Sequence, residues 1–517
     1  MDSKTTAIVV IAIIAVASVA GVGIFLMTST TPPVEEKKTL SVALYSAPPT
    51  LDAPGWTGTD LMSIGALLYD RLVEFNNQSQ LVPGLAKSWV GSPDGLTWTF
   101  YLRSGVKFHD GTDFNAAAVK YNFDRILREK FAASYRLYQQ INQTIVVNAT
   151  VVQFKLNSPY TPLLTNLAYV TGGISSPAAL QAHPGNYSYY VSGTGPYKRR
   201  NYIPSAQVVV VANEEYWGQK PKLGKIEILF VSDANTRTIA LQRGDVQASM
   251  MIPLTNYASL INRPNMSSYV LYQRMIFYAI NYTMFPKNVR LAMNYAIDKT
   301  AIINGLFKGN AEIEKTPIPP TVLYAIDSLT PYAYNPTLAR QLLAAAGYPN
   351  GLNVTIETTS GTYVYDKEVT EIVQSQLAAV GITAKIVIND YGAHYTTRLR
   401  NANPIPPVQL AIIGWGVSTG DPDYFLKSLF YGPLQHGGSY NQDYKNSTVD
   451  ALTDLAAKET NLATRAQQYA QIQTMIWQDV PAIFLYTQPE IFVWNSNVHG
   501  VEIMPTGALN LRNAYIT

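Results

Sequence analysis

The sequence predicts a mixed α/β protein carried behind an N-terminal apolar segment, and three observations point there. Strand and helix signals alternate through the second half of the chain, the pattern that builds a sheet with helices on its faces. Apolar residues make up 47% of the 517; that is enough for large cores, so disorder of the whole chain is excluded. From Ala7 to Met27 runs AIVVIAIIAVASVAGVGIFLM, uncharged and long enough to cross a bilayer as a helix.

The elements follow in order. Residues 1–27 are expected to form a transmembrane anchor, or a signal segment cleaved after a small-residue site such as Ser18-Val19-Ala20. Residues 28–38, TSTTPPVEEKK, are a polar tether. The body begins with a strand at 39–45, then a Pro-rich loop, then apolar residues at helical spacing from Leu61 to Leu72. Residues 97–111 hold two short strand signals around a Ser104-Gly105 turn. Asp113 or Asn115 caps the helix that follows. Further strands are expected in 144–156, 206–213 and 225–232. Later helices are expected at 289–303, 338–348 and 368–381, with Gly347 and Gly381 at C-cap positions. Strands at 352–358, 382–388 and 408–416 alternate with them. A long last helix, 448–480, is broken near Asn461 and stopped by Pro481.

Composition narrows the function. Lys and Arg (38) nearly balance Asp and Glu (35), so the basic excess of a nucleic-acid binder is absent. Charged residues are only 14%, against about 25% in ordinary soluble domains, and Tyr reaches 35. A surface so poor in carboxylates suits an acidic exterior, since acid then changes its charge little. The absence of cysteine excludes disulfides, catalytic thiols and a lipidated N-terminal Cys. Five scattered histidines make no H-E-x-x-H, and neither a G-x-S-x-G elbow nor a phosphate loop occurs, so no metal or cofactor is expected. Asp421-Pro422-Asp423 has the composition of an acid pair, but a Pro between two Asp marks a turn whose carboxylates accept backbone N–H bonds. Eight N-x-S/T sequons, at Asn77, Asn142, Asn148, Asn186, Asn265, Asn281, Asn353 and Asn446, are glycosylation candidates on an extracellular body.

Residues 85–125, LAKSWVGSPDGLTWTFYLRSGVKFHDGTDFNAAAVKYNFDR, carry a Ser-x-Asp-Gly turn, a Trp-Thr-Phe strand and Phe108-His109-Asp110-Gly111 in a fixed order. SGTGPYK (192–198), TRTIALQRGDVQA (236–248), NVRLAMNYAIDKTAI (288–302), YNPTLARQLLAAAGYPNG (334–351), GWGVSTGDPDYFL (414–426) and QDVPAIFLY (478–486) follow. Together they resemble the family 5 extracytoplasmic solute-binding proteins, the peptide/nickel class that feeds ABC importers. The resemblance implies a periplasmic-binding-protein-like fold, with two α/β lobes, a hinge and an inserted extra lobe. On that template lobe I takes 39–70, 194–275 and 486–517, inserted lobe II takes 71–193, and lobe III takes 276–485. It also implies a non-enzymatic receptor outside the cell membrane, whose partners are ABC permease subunits and a small-molecule ligand. His109-Asp110 then reads as a lobe turn rather than an acid/base dyad.

The ligand is where this chain departs from the pattern. Dipeptide-type members place an aspartate for the ligand amine after Gly-Trp, at a position that is Ser418 here. They place an arginine for the carboxylate in a stretch that here reads TTSGTYVYD (358–366). With both missing, the resemblance leaves an oligopeptide held by backbone pairing or a neutral oligosaccharide. The expected ligand residues are Trp415, Gly416 and Ser418 on one lobe, with Tyr45, Trp56 and Tyr278 as further aromatic surfaces. A secreted hydrolase and a surface-layer protein are the alternatives.

Overall fold

The computed structural model describes residues 37–389, 399, 407–417, 419–434 and 443–517. The apolar stretch 7–27 and the tether up to residue 36 lie outside them. Among the described residues no helix is long and apolar enough to cross a membrane.

Two long strands rich in β-branched and aromatic residues organise the body. Met266–Ile280 and Ala482–Asn495 pair antiparallel along nearly their whole length, and Ala482–Asn495 is buried through Val493. Among the described residues they lie at the centre of an eleven-stranded sheet, in which the short Glu312–Ile313 pairs only with Ala482–Asn495. To one side run Leu410–Trp415, Leu352–Thr358 and Ile382–Ile388; to the other run Ala248–Met250, Thr39–Leu44, Lys225–Phe230, Gln207–Ala212 and Tyr197–Ile203. The strands at 352–358 and 382–388 are parallel, and the helix Asp366–Ala378 connects them in the strand–helix–strand order the sequence predicts.

The apolar interior divides where this pair crosses. One core draws on 40–271 and 492–514, and the other on 275–486. A separate four-stranded antiparallel sheet, in the order Ala86–Gly91, Thr97–Leu102, Val151–Leu156, Ile141–Asn148, packs one face on the helix Ala116–Glu129. Phe123 there meets Phe154 edge to face at 4.8 Å. Asp70 joins segments of the first core that are distant in sequence. Only 1% exposed, it accepts from Thr194, Tyr216 and Trp217 and pairs with Arg512 at 2.8 Å, so the buried charge is compensated.

Local signals hold in most places. Asn115 caps its helix by accepting from Ala118 N–H. Asn461 caps Leu462–Asp479, and Gly347 and Gly381 have positive φ, which glycine adopts without a Cβ clash. Three expectations are corrected. The helix expected at 289–303 is two, Lys287–Tyr295 and Lys299–Leu306, because the Asp298 side chain accepts from Ala301 N–H and starts a new helix. The second strand signal in 97–111 is reduced to a single bridge between Lys107 and Asp113. Asn281 is 7% exposed, and its amide donates to Val408 O and Asp443, so it cannot carry a glycan.

His109 lies half-buried on a turn, its ring held by backbone groups. Its Nδ1 accepts from Gly193 N–H and its Nε2 donates to Gly195 O at 2.9 Å, which fixes the neutral ring with Nε2 protonated. Burial holds its pKa down to about 4; Lys198 adds to the effect, while Gly195 O, Asp70 and Asp110 oppose it. Unfolded, the ring titrates near 6.5. As pH falls from about 6.5 to 4 the unfolded chain therefore takes up a proton that the folded chain refuses, and stability drops by about 3 kcal/mol at most. This works against an acid-tolerant exterior. Urea unfolding of His109→Gln across pH 4–7 is expected to show a flatter stability slope than wild type, by about one proton; an unchanged slope would remove His109 as the cause.

Candidate functional site

A cleft of about 280 Å³ opens where the two cores meet. It is lined from the first core by Tyr45, Thr57 to Thr59, Met62 and Thr506, and from the second by Gly414 to Val417 and Tyr424. Gln273 and Arg274, on the crossing strand, form its floor.

The floor is set by a β-bulge. Tyr272 pairs with Pro489 and Arg274 with Gln488, so Gln273 is an extra residue with no partner in register. The bulge turns its amide towards the cleft, where Oε1 accepts from Val417 N–H at 2.7 Å and Nε2 donates to Glu490 at 2.8 Å. Arg274 Nε donates to the other Glu490 oxygen at 3.1 Å. Glu490 is almost fully buried, while Arg274 is 24% exposed; its terminal nitrogens meet no acceptor among the described residues. Burial lowers the Arg274 pKa, but Glu490, with Tyr45 and Tyr363, more than offsets this and the net shift is upward. Arg274 is therefore a fixed cation facing the cleft.

Glycines make the close approach work. A Cβ on Gly416 would stand 2.6 Å from Gln273 Oε1, and one on Gly414 would stand 2.3 Å from the Tyr363 ring. Trp415, half-buried between them, lies 6.3 Å from Tyr424 and edge-on to Phe425. Across the cleft Trp56 is 38% exposed and donates Nε1 to Asp60 Oδ1 at 2.9 Å; Asp60 also accepts from Ser46. Gly58 is required here too, because a Cβ would collide with both Trp56 and Asp60. Burial raises the Tyr45 pKa, with Asp60 and Glu490 adding to it and Arg274 opposing.

Among the expected ligand residues, Tyr45, Trp415 and Gly416 line one cleft; Trp56 does not line it, but its indole lies against Gly58, which does. Ser418 lies outside the described residues. Tyr278 does not join them: it is 0% exposed in the second core and its hydroxyl pairs with Thr370 at 2.7 Å. The 358–366 stretch is arginine-free but ordered, since Asp366 accepts from Thr359 Oγ1 and from the N–H groups of Gly361 and Thr362. Gln273, Arg274, Glu490 and Asp60 were missed. Glu490 had a signal, being a lone carboxylate inside the apolar run IFLYTQPEIFVW, where a charge survives only with a buried partner.

Asp421 and Asp423 are both engaged. Asp421 caps the helix Pro422–Leu429 through Asp423 N–H and pairs with Arg465 at 2.8 Å, both side chains being nearly inaccessible. Asp423 accepts from Tyr160 and pairs with Lys427.

The model of the bacterial extracellular solute-binding proteins, family 5, matches residues 80–435. The glutathione-binding protein GsiB of Escherichia coli K12 is 34% identical over 486 residues, covering 92% of this chain and 94% of its own. Among solved structures, the periplasmic binding protein DppA of Helicobacter pylori in complex with the peptide STSA is 27% identical with a TM-score of 0.77, covering 92% of this chain and 98% of that one. HbpA2 of Haemophilus parasuis is also 27% identical, with a TM-score of 0.82 and 93% and 100% covered. The chain belongs to the family 5 extracellular solute-binding proteins and is the binding component of an ABC importer, not an enzyme.

Proposed function

We propose that the cleft captures a short peptide, or a peptide-like amide, with a free carboxylate, and that the chain delivers it to its permease. The observation that carries this is Arg274: a cation held by Glu490, partly exposed, at the floor of a cleft lined by both cores. The glutathione-binding relative and the peptide complex of DppA support it. The neutral-ligand argument rested on absent countercharges; Arg274 supplies one from a position outside the two motifs that lack them. Trp415 and Tyr424 then serve as apolar walls rather than sugar platforms.

In this reading segments 39–70, 194–275 and 486–517 form one closing body and 276–485 the other, with 71–193 inserted, and Ala7–Met27 tethers the protein to the membrane. Of the sequons, Asn77, Asn142, Asn148, Asn186, Asn265 and Asn353 are exposed and remain glycan sites in this proposal. Asn446 is half-buried, caps a helix and donates to Asp479, which makes it a poor one.

This reading of closure is supported by bonds between the inserted segment and the second core. From the inserted segment, Thr161 N–H donates to Ala457 O and Thr161 Oγ1 to Glu459 O, both at 2.8 Å. Tyr160 donates to Asp423 at 3.1 Å, and Arg136 donates to Ser428 and lies over the Tyr424 ring. Such bonds, made only when the bodies are together, slow ligand release more than they speed capture.

Two outcomes are expected. In calorimetric titration, peptides with a free C-terminus should bind wild type about tenfold to a hundredfold more tightly than their C-terminal amides, the range of a charge-assisted bond. Arg274→Gln should erase that difference and Arg274→Lys should keep part of it. Equal binding of acid and amide by wild type would sink the carboxylate reading. In stopped-flow measurements Tyr160→Phe with Thr161→Val should dissociate ligand several-fold to about tenfold faster at a near-constant association rate; an unchanged release rate would show that these bonds do not hold the closed state.

A further inference from the structure

A second cavity opens off the cleft. About 150 Å³ in volume, it lies at the junction of both cores and the inserted segment, and it shares Met62, Val417 and Thr506 with the cleft. Its walls are apolar: Met62, Phe75, Tyr169, Val170, Val417 and Met504. The charged and amide side chains at its edge are satisfied within the protein, while Ser79 and Thr506 add two hydroxyls. Arg71 donates to Glu74 at 2.8 Å, Arg512 pairs with Asp70 at 2.8 Å, and Asn510 donates to Glu502 at 2.7 Å. A polar guest would find few free partners there, and an apolar one loses nothing by entering.

Interiors are close-packed, and an apolar void of this size is destabilising unless something fills it. A cavity of 150 Å³ has the volume that takes up a benzene ring. Continuity with the ligand cleft names the occupant. We infer that this cavity is a specificity pocket for one apolar side chain of the bound peptide, in the size range from Leu to Phe. The inference rests on the peptide reading above and deepens it. Glutathione, whose side-chain atoms at the middle residue amount to a methylene and a thiol, would leave most of the pocket empty. This chain therefore prefers a bulkier, more apolar ligand than its glutathione-binding relative is named for.

The test is a calorimetric panel on the full chain in detergent, using triglycine, the three tripeptides with one Leu, the three with one Phe, and glutathione. One Leu position and the same Phe position should bind about tenfold to a hundredfold more tightly than triglycine, as burial of a full apolar side chain implies. Ala66→Leu, which narrows the pocket, should bring that peptide down to the triglycine level. Ala168→Leu, on the inserted segment, repeats the test should the first variant melt early. Equal binding across the tripeptides would overturn the pocket and leave the peptide reading standing. No binding by any peptide would overturn both.

Discussion

Everything in the body hangs on one antiparallel pair, Met266–Ile280 against Ala482–Asn495. Each strand contributes to both cores, so the two cores share the backbone of one hydrogen-bonded pair. The pair is also irregular at its middle, with register breaks at Tyr272/Arg274 and Ile276/Phe277. A regular ladder would send alternate side chains to fixed faces. The bulge breaks that alternation and presents Gln273 and Arg274 together at the cleft floor. Glu490 locks the arrangement: an almost inaccessible carboxylate must keep its partners, because losing either leaves a buried charge uncompensated.

The chemistry of the site follows from that lock. An arginine lying free on a cleft wall would sample many rotamers and bind anions weakly. Here Nε is held by Glu490 and the guanidinium plane is fixed before any ligand arrives, which reduces the ordering cost of binding. Gly414, Gly416 and Gly58 belong to the same argument. They let Tyr363, Gln273 and Trp56 approach the backbone at distances that no Cβ would allow. The Gly-Trp-Gly run is thus a spacing device around a charged floor, and Trp415 between its glycines shapes the wall.

Much of the fold was legible because its signals are local. The strands at 352–358 and 382–388 match in full, and the break at Asn461 follows from its cap. Asp298 carried the same kind of signal, but the apolar spacing on either side of it hid the break. The site was legible only in part. Trp415, Gly416 and Tyr45 were found where strands end. Arg274 and Glu490 were not, because they are 216 residues apart in sequence and meet only through a bulge. Tyr278 misled for a related reason: an aromatic in a strand looks the same whether it faces a cleft or a core, and here Thr370 satisfies its hydroxyl in the core.

The inserted segment makes sense once the bonds and the cavity are taken together. Its Tyr160, Thr161 and Arg136 reach the second core, while its Phe75, Tyr169 and Val170 wall the apolar cavity. On the proposed reading the same stretch of chain would sense the ligand's side chain and hold the bodies together. A ligand shifts a conformational equilibrium only by its differential affinity for the two states. A side chain filling a cavity that all three parts enclose meets its full set of contacts only in the closed arrangement, so its burial energy goes into closure. A ligand that fills only the cleft lacks that contribution. On the proposed reading, selectivity for the ligand and commitment to the closed state would be two consequences of one set of contacts.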